Sequence, residues 1–194
     1  MGSGDNDDGT NNYNTAVGIQ SLNDNTSGHH NTAVGYKSLN TNTTNFGSTA
    51  IGYRAMHYAN SNTYNQETAN TAVGYTALMG STTPSDNTGR WNTALGARVL
   101  ENNSYGNKNT SVGSHTLFNN TLGSHNTAIG YGALYHSKAN LYNTALGSEA
   151  MFYADDREIG RLTYNTAIGY SALKGSTTPS NNTGRWNTVV GFES

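Results

Sequence analysis

The chain has 194 residues and a net charge of −2, and Asn (29), Thr (27) and Gly (23) together supply about 41% of it. Charged residues are 11%, against roughly 25% in an ordinary soluble domain, which excludes the basic footprint of a nucleic-acid binder and a polybasic membrane patch. There is no cysteine, so no disulfide framework, thiolate metal site or thiol nucleophile, and no apolar run of about 18 residues that would insert in a membrane.

Residues 1–13 read as a flexible leader, without the basic region and apolar stretch of a signal peptide. Asp5, Asp7 and Asp8 precede Gly9 but lack calcium-loop spacing, and Ala16 stands where the last carboxylate ligand would fall. No metal or cofactor is expected.

From Asn14 onward one unit, Asn-Thr-Ala-(Val/Ile/Leu)-Gly-x-x-(Ala/Ser)-Leu, recurs with its glycine at Gly18, Gly35, Gly52, Gly74, Gly96, Gly113, Gly130, Gly147, Gly169 and Gly191. The steps are 17 or 22 residues, so some copies of a 17-residue unit carry a five-residue extension. A shift of 95 residues superimposes coils one to five on coils six to ten, and residues 70–93 then match 165–188 at 20 of 24 positions. This is a tandem duplication of a five-coil block, 14–108 and 109–194, within a single solenoid domain 14–194.

Seventeen residues are too few for a helix pair, and the Thr-Ala-Val-Gly stretch alternates with the period of a strand. The expected fold is all-β: a parallel β-roll, or β-solenoid, of ten 17- or 22-residue coils, about 48 Å long. The strand asparagines are expected to bond along the rod and the glycines to make the corners. The Thr and Val/Ile/Leu side chains are expected to face a thin core. The flat Ala/Gly face would then lie outside and drive parallel self-association, as a homotrimer, with a dimer left open.

The units NTAVGYKSL, NTAVGYTAL, NTAIGYGAL and NTAIGYSAL resemble the NTA(V/I)GYxAL repeats of bacteriophage tail-fibre proteins, and in pattern the β-roll heads of trimeric autotransporter adhesins. The likeness runs over residues 14–194. It implies a left-handed roll, a trimeric fibre on a virion or a bacterial cell surface, and a role in adhesion or host recognition. Phage-type repeats often precede a self-cleaving chaperone domain, and nothing after Val190 resembles one, which is expected of a fragment or a matured product.

The extensions, His57 to Ala69, Met79 to Trp91, Phe152 to Tyr164 and Lys174 to Trp186, are the best candidates for receptor binding, because a solenoid displays its insertions as loops. Adjacent extended coils should stack into one patch per block, with Tyr58, Tyr64, Arg90 and Trp91 in the first and Tyr153, Tyr164, Arg185 and Trp186 in the second. Aromatic planes beside arginine suit a cell-surface glycan or a protein receptor. The competing reading is that each tryptophan pins its loop to the rod under a stacked arginine.

Tyr36, Tyr53, Tyr75, Tyr131 and Tyr170 follow their glycines and are expected to form a packed seam. The ten strand threonines would make an ice-binding array only if they faced outward, which an aliphatic core column would prevent. A threefold axis could gather copies of His30, but the histidines have no metal-binding spacing. Asp155, Asp156 and Glu158, beside Arg157 and Arg161, are the nearest approach to the carboxylate pair of a glycan depolymerase. The first block has Asn60, Ser61 and Thr63 there, which favours a charged loop tip. No catalytic residues are assigned. The expected function is a non-enzymatic fibre or adhesin segment, with a purely structural spacer as the main alternative.

Overall fold

The structure, a computed structural model, describes residues 12–59 and 65–194. It is all-β, and short 3-10 turns at Pro84–Asp86 and Pro179–Asn181 are its only helical elements among the described residues. The strands are β1 (Thr15–Val17), β2 (Thr32–Val34), β3 (Thr49–Ile51), β4 (Thr71–Val73), β5 (Thr93–Leu95), β6 (Thr110–Val112), β7 (Thr127–Ile129), β8 (Asn140–Leu141), β9 (Thr144–Leu146), β10 (Arg161–Leu162), β11 (Thr166–Ile168) and β12 (Thr188–Val190). All but β8 and β10 join one ten-stranded parallel sheet, following chain order. Thr pairs with Thr at every step, so the sequence repeat is the strand register.

The asparagine that precedes the strands of the long sheet, all but β3, ties the coils together. The side-chain oxygen of Asn92 accepts the Asn109 N–H at 3.0 Å, Asn109 accepts that of Asn126 at 3.0 Å, and Asn126 that of Asn143 at 3.0 Å. The amide nitrogen of Asn92 reaches across its own coil to the Gly106 carbonyl at 2.8 Å, and Asn109 does the same to Gly123 at 2.8 Å. Each buried amide thus satisfies two backbone groups that a three-residue strand leaves open. At Ser48, the one substitution in this column, the hydroxyl takes over and accepts the Asn70 N–H at 3.3 Å.

The glycine closing each strand of the long sheet has a left-handed backbone and, in all but the last coil, no room for a side chain. At Gly74 φ is +140°, and a Cβ would lie 2.2 Å from the Gly96 carbonyl oxygen in the next coil. Either constraint alone selects glycine.

The core differs from the expected one. The central strand alanines, including Ala33, Ala50, Ala72, Ala94, Ala128, Ala145 and Ala167, are completely buried, while Val17, Ile51, Leu95, Ile129, Leu146, Ile168 and Val190 are exposed. The Ala/Gly face is therefore inside and the Thr/aliphatic face outside, the reverse of the sequence expectation. The physical reason is space: across from each alanine sits the buried leucine or methionine four residues after the glycine (Leu22, Leu39, Met56, Leu78, Leu100, Leu117, Leu134 and Met151). A large side chain opposite a small one fills a narrow coil, whereas two branched columns would overfill it. These leucines and methionines hold a left-handed backbone, as at Leu39 with φ 49° and Met151 with φ 50°. The same conformation recurs two residues earlier, at Lys37, Arg54 and Glu149, and before the strand asparagine, at His30, Trp91 and Tyr164.

Candidate functional site

The outer face of the long sheet carries three adjacent columns set by strand alternation. The threonines form the middle one and the Val/Ile/Leu residues the second. The third is the residue before each strand asparagine, among them Tyr13, His30, Trp91, Lys108, His125, Tyr142, Tyr164 and Trp186. Rings in this third column stack along the rod: Tyr13 on His30 at 5.1 Å, His125 on Tyr142 at 4.7 Å and Tyr142 on Tyr164 at 5.0 Å. Trp91 has the Arg90 guanidinium 5.0 Å and the Lys108 ammonium 5.4 Å from its ring centre, and Arg185 lies 5.4 Å from Trp186. Trp91 is 43% and Trp186 70% exposed.

The receptor-binding residues expected from sequence divide into two groups. Trp91, Tyr164 and Trp186 lie in that third column, with Arg90 and Arg185 beside the two tryptophans. Tyr58 and Tyr153 sit elsewhere in the coil, in ring contact with His57 at 4.3 Å and with Phe152 at 4.9 Å and His136 at 5.4 Å. Tyr64, like the acidic leader, lies outside the described residues.

Neighbouring extensions do meet. The Asn87 amide donates to the Tyr58 carbonyl and to that of Ser81 at 2.8 Å, and its oxygen accepts the Ser81 N–H at 2.8 Å. Asn182 repeats this with Tyr153 and with Ser176, at 2.8 and 2.9 Å. These buttresses were not foreseen from sequence, although Asn87 and Asn182 stand at equivalent places in the two blocks. The polar groups lining the pockets between the extensions, Asn87 and Asn182 among them, are largely committed to such backbone bonds.

The acidic loop has an internal role. Asp155 is buried and bonded to both Arg157 and Arg161, the latter at 2.5 Å. Burial pulls its carboxyl up, but the hydrogen bonds from the two arginines outweigh that and hold it below its ordinary value. Glu158 points to solvent and pairs with Lys138 at 3.4 Å. Asp155 is thus committed to its own loop's arginines, and Glu158 to a surface pair.

Tyr36, Tyr53 and Tyr75 stack at 5.4 and 5.2 Å, and Tyr170 stacks on Phe192 at 5.2 Å. Ring faces within such a ladder cover one another, so it offers mainly edges to a partner. Among the described residues no three His, Asp or Glu side chains gather as a metal site, and no helix is long and apolar enough to cross a membrane. No family model, no curated protein and no solved structure matches this chain.

Proposed function

We propose that the chain is a segment of an extracellular fibre, on a virion tail or a bacterial cell surface. In this reading it is a left-handed β-roll of ten 17- or 22-residue coils, assembled as a parallel homotrimer and displaying side chains that attach to a cell-surface glycan or protein receptor. It acts by presentation rather than by catalysis: a stiff ladder holds repeated groups at fixed intervals, and three chains sum weak contacts into avidity.

One observation carries the assembly. A strip of Val, Ile and Leu runs in register along ten strands on the outside of the rod, with Val17, Leu95 and Val190 at 56%, 46% and 69% exposure. Continuous apolar strips are ordinarily covered in a soluble protein. The self-association surface moves accordingly from the Ala/Gly side to the Val/Ile/Leu column of the outer face, at the opposite edge from Trp91 and Trp186. Light scattering should give about 62 kDa, three times the 20.6 kDa chain. Val73→Asp with Ile168→Asp should reduce the mass to one chain while the β-sheet circular dichroism persists. A monomeric wild type would overturn the assembly.

The outward threonine column also favours a second reading, an ice-binding surface, since the argument against it required those hydroxyls to face inward. The unequal lengths of Val, Ile and Leu in the adjoining column make that face less regular than a crystal plane. Thermal hysteresis in a monomeric wild type would place ice binding ahead of the fibre.

A further inference from the structure

The two blocks have diverged unevenly. Residues 14–69 and 109–164 agree at 24 of 56 positions, chiefly the strand motif, the corner glycines and the buried Asn, Ala and Leu columns. Residues 70–93 and 165–188 agree at 20 of 24, and here the shared side chains include exposed ones: Thr82, Thr83 and Ser85, matched by Thr177, Thr178 and Ser180, and Trp91 by Trp186. Packing accounts for some of these identities. Gly80 and Gly175 must be glycine, since a Cβ would lie 2.7 Å from atoms of the Asn87 and Asn182 side chains, which hold the loop. It does not account for Arg90 with Trp91 or Arg185 with Trp186.

The charges at these positions are also uncompensated. Arg98, Lys138, Arg157, Arg161 and Lys174 each reach a carboxylate. Among the described residues Arg90, Lys108 and Arg185 form no such ion pair and lie against an indole, whereas Lys37 and Arg54, also without an ion pair, lie against tyrosines of the stacked ladder. A guanidinium oriented by a tryptophan and left without a counter-charge, twice in one chain, is a vacant place for an anion next to a flat apolar surface.

We infer that Arg90–Trp91 and Arg185–Trp186 are two copies of one binding site for an acidic saccharide, with the sugar against the part of the indole that the cations leave exposed and its carboxylate on the guanidinium. This rests on the attachment reading above and names its ligand class. Five coils separate the copies, about 24 Å along the rod, so a linear acidic glycan can engage both. Lys108 adds a second cation at the first copy, where binding is the tighter.

The full-length protein is titrated calorimetrically with sialyllactose and oligogalacturonate, and with lactose as the neutral control, and is tested for attachment to intact bacterial cells. The acidic sugars should bind and lactose should not, with affinity falling as salt is raised. Arg90→Gln with Arg185→Gln should weaken binding about ten- to a hundredfold, the loss of a charge-assisted bond, at unchanged melting temperature. Lys108→Gln should weaken it less. Full acidic-sugar binding by the double variant overturns the site, and so does equal binding of lactose; in either case wild-type attachment to cells leaves the fibre reading standing. A wild type that binds neither sugar nor cell overturns the attachment reading and this inference with it.

Discussion

The described ends of the first extension in each block are placed alike but differ in chemistry. In both, the chain returns to pair with the preceding coil, Phe46 with Glu67 in the first block and β8 with β10 in the second. His57 enters the first block as a buried imidazole whose Nε2 lies 3.4 Å from the Arg54 guanidinium. Its equivalent, Phe152, stacks on Tyr135 at 5.0 Å, which in turn stacks on Phe118 at 5.1 Å. The second block places its charge further along, at Asp155. Bonds between successive coils hold the rod while side-chain chemistry at a given place drifts, so the two halves should share one response to backbone damage and differ in their response to pH.

The largest expected effect treats the halves alike. Gly74→Ala and Gly169→Ala each force a Cβ against the next coil's backbone, 2.2 and 2.1 Å from a carbonyl oxygen, at φ +140° and +131°. Left-handed strain costs about 1–3 kcal/mol, and the clash adds to it, so both variants should lose more than about 3 kcal/mol. Gly47→Ala has the same sign of φ, at +79°, but its nearest contact is 3.9 Å away. It should cost only the strain. Urea melts of the three variants check this, and equal losses would mean that the close approach between coils is not what selects glycine.

A smaller effect separates the halves. Burial first, and then the charges of Arg54 and Lys37, lower the His57 pKa to about 4, with a hydrogen bond from the ring to the Lys37 backbone and the charge of Asp24 opposing. The unfolded chain therefore takes up this proton first. The contribution is complete above about pH 6.5 and is lost as the pH falls toward 4, on the order of 2–3 kcal/mol. His136, also held below its ordinary value by burial, gives the second block a loss of the same sign. His57→Phe, which copies Phe152, should raise the melting temperature at pH 4.5 relative to wild type and narrow the difference between the halves in hydrogen exchange. An unchanged pH profile in His57→Phe would show that the imidazole is hydrated in the fold.

The repeat made the parallel sheet, its register and the asparagine ladder legible, because each is a column in the sequence. Which face of the strand is buried was not legible. Alternation sorts Thr and Val from Ala and Gly but does not say which set is inside, and the usual preference for branched residues in a core points the wrong way for so narrow a coil. The deciding feature is a left-handed backbone at Leu39, Met56 and Leu100, a conformation that these residue types do not advertise. The candidate site was half legible: Arg90 with Trp91 stand out as a repeated pair, but Lys108 joins them only through the fold, one coil further along.

The smallest expected effect concerns Asp155. Its pKa is depressed in the fold, so its pairing with Arg157 and Arg161 stabilises above the unfolded value of 3.8 and is lost as the pH falls below it. Breaking a fully buried pair costs about 3–5 kcal/mol, but Arg157 is 40% exposed and water screens that partner. Asn keeps one accepting oxygen but turns an NH2 toward arginine N–H groups, so Asp155→Asn should cost about 1–2 kcal/mol at pH 7 and less as the pH falls through the depressed native pKa. The first block, with Asn60 at the equivalent position, has no counterpart to this acid-sensitive step. A cost in Asp155→Asn that did not shrink as the pH fell below 3.8 would mean that the carboxylate holds the loop through shape and neutral hydrogen bonds, and that the charge difference between the halves has no bearing on their stability.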